Sequence, residues 1–103
     1  MVLEKDYQLS LTKRLRGLDK KVVVTKNDPN VVQGIPDLSI FYQDKFVFLE
    51  VKKDAKAKHQ PNQDYYINHF NDYGYSAFIY PENETEIIRE VCDYMGLDFS
   101  KWK

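Results

Sequence analysis

Residues 38–51 constrain the fold more than any other stretch of this chain. Leu38-Ser39-Ile40-Phe41-Tyr42 and Phe46-Val47-Phe48-Leu49-Glu50-Val51 are β-rich runs separated by the polar Gln43-Asp44-Lys45, the local pattern of two adjacent antiparallel strands. Side chains alternate along a strand, so Phe46, Phe48, Glu50 and Lys52 share one face, while Val47, Leu49 and Val51 take the other. A loop of Asp44 and Lys45, or of four residues centred on them, sets Asp37 opposite Lys52. Asp37, Glu50 and Lys52 then converge on one side of the hairpin.

Opposed or diagonal side chains on one sheet face have Cβ atoms ~5–8 Å apart. Two carboxylates at that spacing can share a small cation. A hard divalent ion such as Mg²⁺, or Mn²⁺ in its place, takes oxygen ligands at ~2.1 Å and keeps several waters. The expected protein share is Asp37, Glu50 and the carbonyl of Val51. Lys52 would bring a positive charge to an attacking water and to the charge that develops at a phosphorus centre. The plain alternative is a structural ion pair between Lys52 and the acids. An ionic cluster on an otherwise apolar strand costs stability when it has no further use, which favours the chemical reading.

The flanking sequence supplies more of such a site. Leu3, Tyr7, Leu11, Leu15 and Leu18 recur at helical spacing, so the N-terminus reads as an amphipathic helix ended by Gly17 in a left-handed conformation. Glu4 lies beside that stripe, one turn before Gln8; as an acid in a first helical turn it is also favourable without any function. Lys21 to Lys26 is a β-branched run, hence a strand, followed by the turn cluster Asn27-Asp28-Pro29-Asn30. After the hairpin, Lys52-Lys53-Asp54-Ala55-Lys56-Ala57-Lys58-His59 is strongly cationic. Lys53, Lys56, Lys58 and His59 are candidates for holding phosphates without sequence specificity, against the reading of a solvated loop.

Pro61-Asn62-Gln63 opens a second helix to about Tyr73, with Pro61 in its first turn and Gly74 closing it. Gln63, Tyr66, Ile67, Phe70 and Tyr73 share its face, which makes Gln63 the polar member of an apolar stripe; Gln60 is its rival. Tyr75 to Tyr80 reads as a fourth strand. Asn83-Glu84-Thr85-Glu86 reads as a capping box for a last helix, whose Ile87, Ile88, Val91, Tyr94 and Met95 face the core. Phe99 and Trp102 in the tail are expected to pack on the domain or on a second subunit.

Asp37 preceded by Gly34-Ile35-Pro36, then Glu50-Val51-Lys52 after a hairpin, resembles the PD-(D/E)xK nuclease motif. Gly34 before Pro36-Asp37 and Gln63 after the Lys resemble the virus-type replication-repair nuclease (VRR-NUC) group, including stand-alone phage forms related to Holliday-junction resolvases. The likeness runs from Glu4 to about Tyr80. It implies an α/β fold with a restriction-endonuclease-like αβββαβ core, here with an added C-terminal helix, and a mixed central sheet flanked by helices. It implies a Mg²⁺- or Mn²⁺-dependent endonuclease acting on structured DNA such as a Holliday junction, flap or fork. Catalysis would rest on Asp37, Glu50, Lys52, Gln63 and Glu4; Asp37, Glu50, Val51 and Glu4 would hold the metal, and Gln63 would steady Lys52 or a phosphate. A homodimer would place two sites on two strands.

The remaining sequence bounds these readings. With 103 residues the chain accommodates one domain, residues 1–103. Its single cysteine, Cys92, permits no internal disulfide, and His59, His69 and Cys92 match no zinc spacing. There is no signal-peptide pattern and no apolar run long enough for a membrane helix, so a cytoplasmic protein is expected, in the host cell if it is phage-encoded. Net charge is −1, yet residues 1–60 hold twelve Lys/Arg against eight Asp/Glu and residues 61–103 hold three against eight. That asymmetry suggests a basic face for an anion. Two other classes stay open: a branched-DNA-binding module without turnover, and a structural interaction protein.

Overall fold

The hairpin turns one residue earlier than the Asp44-Lys45 loop that the residues suggested. In a computed structural model that describes residues 3–72 and 74–103, strand β2 (Leu38–Tyr42) and strand β3 (Lys45–Val51) pair antiparallel with Tyr42 opposite Lys45 and Leu38 opposite Leu49. The loop is Gln43-Asp44, and Gln43 takes a positive φ of 56°, a conformation costly for most residues but suited to two-residue hairpins. Continued one step, the register sets Asp37 opposite Glu50. The expected pairing of Asp37 with Lys52 is therefore corrected, while all three side chains keep their shared face.

Strand β1 (Val23–Lys26) adds antiparallel to β2, and β4 (Tyr75–Ile79) adds parallel to β3, giving a four-stranded mixed sheet in the order β1-β2-β3-β4. Helices α1 (Glu4–Arg16) and α3 (Glu84–Met95) cover one face. There Leu11, Leu15, Ile40, Val47, Leu49, Val51, Ile79, Ile88 and Val91 are wholly buried. Burying such side chains contributes ~1.5–3 kcal/mol each before the cost of ordering them. Helix α2 (Gln63–Asn71) covers the other face over β3 and β4. Phe70 stacks on Phe48 with ring centroids 4.1 Å apart, and the Ser76 hydroxyl donates to the Ile67 carbonyl.

Several ends depart from the sequence expectation. Gly17 is right-handed at φ −78°; its amide closes on Lys13 and Arg14, and Leu18 follows at once into the core. Pro61 lies outside α2, which starts after Asn62 in the left-handed region at φ 71°. Tyr73, expected at the end of that helix's stripe, lies outside the described residues. Asn83 does not cap α3 with its side chain: its amide accepts from the Tyr80 backbone N–H and donates to the Phe78 carbonyl, tying down the 3₁₀ turn Pro81–Asn83.

The tail packs on its own domain. Trp102 donates through Nε1 to Glu84, and Arg14 lies over its ring at 4.6 Å. Glu84 also receives the Tyr7 hydroxyl and a bidentate Arg14, so one carboxylate joins α1, α3 and the C-terminus. Among the described residues no helix is long and apolar enough to cross a membrane.

Candidate active site

Gly34 makes the site possible by letting two loops touch. Its φ is +88°, and a Cβ there would sit 2.5 Å from the Asn62 Cβ and 2.8 Å from the Pro61 carbonyl oxygen. Only a residue without a side chain admits that approach without displacement. The contact brings the start of α2 against the segment leading into β2. Asn27 fixes that segment from the other side, its amide donating to the Pro36 carbonyl and the Ser39 hydroxyl while its N–H bonds the Asp37 carbonyl.

A cleft of about 680 Å³ opens between these loops, and Glu4, Asp37, Glu50, Lys52, Lys53, Lys58, Gln60 and Gln63 lie among its walls. The Asp37 amide donates to Glu50 Oε1 at 3.2 Å, and Asp37 Oδ2 accepts from the Val51 amide at 2.9 Å. N–H and C=O of one strand residue face the same neighbour, so the Val51 carbonyl lies on the edge that faces Asp37. Gln63 is buried at the centre. It donates to Glu50 Oε2 at 2.9 Å and accepts from Lys52 Nζ at 2.8 Å and from the Gln60 amide at 2.8 Å. Lys52 Nζ also donates to the Lys58 carbonyl and stands 3.5 Å from Glu50 Oε2. One amide thus fixes the acid and the ammonium relative to each other. The Lys58 backbone shares in this, a role that the cationic pattern of its segment did not reveal.

The acids are held in an unfavourable state for free carboxylates. Burial raises Asp37 above its ordinary range, against the pull of the Val51 and Glu50 hydrogen bonds. Burial also pushes Glu50 up to about 8, with the nearby Asp37 charge adding to it and Lys52 opposing it. With both acids ionised, the half-buried Asp37 and the buried Glu50 would carry one negative charge more than the buried Lys52 ammonium offsets, and an oxygen-seeking cation would favour that state. Among the described residues no three His, Cys, Asp or Glu side chains cluster closely enough to cage an ion. Two acids, a carbonyl and waters suit Mg²⁺ or Mn²⁺, which need few protein ligands. The donor set therefore fits such an ion.

The outlying candidates divide. Glu4, exposed at the start of α1, accepts the Lys53 amide at 3.2 Å and adds its negative charge to the field at Asp37, so it sits at the rim. Lys53 and Lys58 line the cleft, whereas Lys56 and His59 are not among its walls. His59 lies flat on Phe78 at 3.9 Å and bonds Asp64 through Nδ1 at 2.9 Å, which occupies it in packing the loop. Asn27 passed in the sequence for ordinary turn chemistry. Its only signal was its nearness to Gly34-Ile35-Pro36-Asp37.

No family model matches the chain, and no curated protein does. A solved structure described as a VRR_NUC domain protein superposes with a TM-score of 0.68 over 94% of this chain and 91% of its own, at 18% identity. At that identity the likeness is one of fold, and it carries the same mixed four-stranded sheet with flanking helices.

Proposed function

We propose that the chain is a Mg²⁺- or Mn²⁺-dependent DNA endonuclease that hydrolyses a phosphodiester bond in the cleft. The observation that carries this reading is the placement of Lys52 Nζ, 2.8 Å from the Gln63 amide oxygen and 3.5 Å from Glu50, beside the buried Glu50 and the half-buried Asp37 in an open, solvent-reachable hollow. An ion pair serving only stability needs no such hollow and no paired acid of raised pKa. The VRR_NUC-like fold supports the same assignment.

A divalent ion bound there would supply charge neutralisation and polarise the scissile phosphate. Asp37, Glu50 and the Val51 carbonyl would hold it, with Glu4 reaching toward it from the rim. The Lys52 ammonium orients the attacking water and meets charge developing on the phosphate oxygens. Gln63 keeps the ammonium from collapsing onto Glu50, because its carbonyl oxygen accepts a hydrogen bond from Lys52 Nζ while its NH₂ donates to the carboxylate. Lys53 and Lys58 at the mouth would contact backbone phosphates, with Lys56 further along the same loop. In-line attack would leave 5′-phosphate and 3′-hydroxyl ends.

Branched DNA such as a four-way junction, flap or fork is the proposed substrate, cut by a homodimer with one site per strand. The test is cleavage of labelled junction, flap and plain duplex in Mg²⁺, Mn²⁺ and chelator, with Lys52→Ala alongside. Metal-dependent cutting that falls ~1,000-fold in the variant supports the reading. Binding of junctions without cutting in either metal would assign the chain to DNA binding alone.

A further inference from the structure

Net charge of −1 gives this chain no overall attraction for a polyanion, and the cleft itself mixes Glu4, Asp37 and Glu50 with its lysines. Cations in excess lie elsewhere. A second hollow of about 400 Å³, between α1 and β1, is lined by Lys5, Gln8, Leu9, Thr12, Arg16 and Lys26, with no carboxylate among them. Lys5, Leu9, Thr12 and Arg16 follow one another at spacings of four, three and four, so they form one stripe of α1. Lys26 ends β1, the edge strand of the sheet.

The hollow continues toward the cleft. Lys26 also walls a neighbouring depression formed by residues 26–30, and Pro29 of that depression is a wall of the cleft. Its one acid, Asp28, turns an oxygen onto the Asn30 amide at 2.8 Å. Among the described residues neither Lys5 nor Lys26 has an ion-pair partner. Arg16 gives one N–H to the Val24 carbonyl at 3.0 Å and is otherwise exposed.

We propose that Lys5, Arg16 and Lys26 form a phosphate-binding track that leads a nucleic-acid backbone over α1 and the β1 edge into the cleft. The proposal rests on the nuclease reading for its ligand. From Lys5 to Arg16 the helix rises ~16 Å, matching about five phosphate steps of one strand at ~3.4 Å each. Side chains of this kind position a backbone without reading bases, and they would set which side of the cleft receives the longer arm of the substrate.

Fluorescence anisotropy of a labelled duplex of ~20 base pairs and of its single strand, titrated with Asp37→Asn protein in chelator at several salt concentrations, tests the track without cleavage. The triple variant Lys5→Gln, Arg16→Gln, Lys26→Gln should lower the slope of log K against log salt by ~2.7 for duplex and ~2.1 for single strand. A charge-matched control, Lys20→Gln, Lys101→Gln, Lys103→Gln, outside all three hollows, should move it far less. Because Arg16 also holds Val24, the double variant Lys5→Gln, Lys26→Gln is measured beside it, with an expected drop of ~1.8 on duplex. Equal slopes in track and control variants, or no binding before substitution, would overturn the track. Metal-dependent cutting by the unaltered chain judges the nuclease reading separately: cutting with equal slopes leaves that reading standing, and a lowered slope without cutting leaves the track standing.

Discussion

Raising the pH from 6.5 to 8.5 should strengthen Mn²⁺ binding by more than an order of magnitude. Glu50, pushed up to about 8 by burial and by Asp37, is the group that must ionise for the cleft to take a cation. A carboxyl titrating at that value is ~3% ionised at pH 6.5 and ~76% at pH 8.5, so apparent affinity should rise ~25-fold across the interval and level off above it. Near pH 7 each bound ion should displace about one proton. Calorimetric titration in two buffers of different ionisation enthalpy reads both quantities at once. Stability without metal runs the opposite way. A raised folded-state pKa means that the folded chain holds a proton the unfolded chain releases, so this group's contribution weakens as pH climbs from 4.5 toward about 8. An affinity that moves less than ~3-fold over the interval, with no proton released, would refute the claim that Glu50 is both buried as an acid and the seat of the cation.

Other substitutions probe the scaffold. Gln63→Leu removes a partner from both Lys52 and Glu50; it should cost ~2–4 kcal/mol of stability and lower cleavage ~10–100-fold, read by thermal melting and single-turnover rates. Gly34→Ala, at φ +88° and 2.5 Å from the Asn62 Cβ, should destabilise by ~2 kcal/mol or more and weaken Mn²⁺-linked stabilisation in the same melts. Glu84→Ala strands Tyr7, Arg14 and Trp102 and should cost ~2–4 kcal/mol, or roughly 10–20 °C in Tm for a domain of this size. Although burial opposes it, bonds from Arg14, Tyr7 and Trp102 hold Glu84 below its ordinary value. Its contribution is full above pH 4.5 and is lost as pH falls further, which acid titration by circular dichroism checks against the variant.

The convergence of Asp37, Glu50 and Lys52 was legible because a strand's period of two puts Glu50 and Lys52 on one face, and the observed pairing differs from the expected one by two residues, which leaves Asp37 on that face. The register itself was not. It depends on Gln43 adopting a positive φ, and glutamine carries no turn signal as asparagine or glycine would. Gln63 stood out as a polar residue on an apolar stripe, but its simultaneous grip on Glu50 and Lys52 depends on the left-handed Asn62 and on Gly34, twenty-eight residues earlier in the chain. Such contacts between distant loops leave no local periodicity. His59 shows the converse: its charge pattern suggested phosphate binding, whereas a ring stacked on Phe78 is a packing choice that neighbouring sequence does not encode. The Glu84 cluster escaped notice for the same reason, since it closes only when the tail folds back over α1.

Single-turnover cleavage of an end-labelled four-way junction, with unaltered protein, Asp37→Asn and Glu50→Gln compared in Mg²⁺ and in chelator, tests the central claim most directly. The account predicts cuts with 5′-phosphate ends by the unaltered protein in Mg²⁺ only, and rates at least ~1,000-fold lower in both variants. Cleavage that persists in either variant, or in chelator, would contradict it.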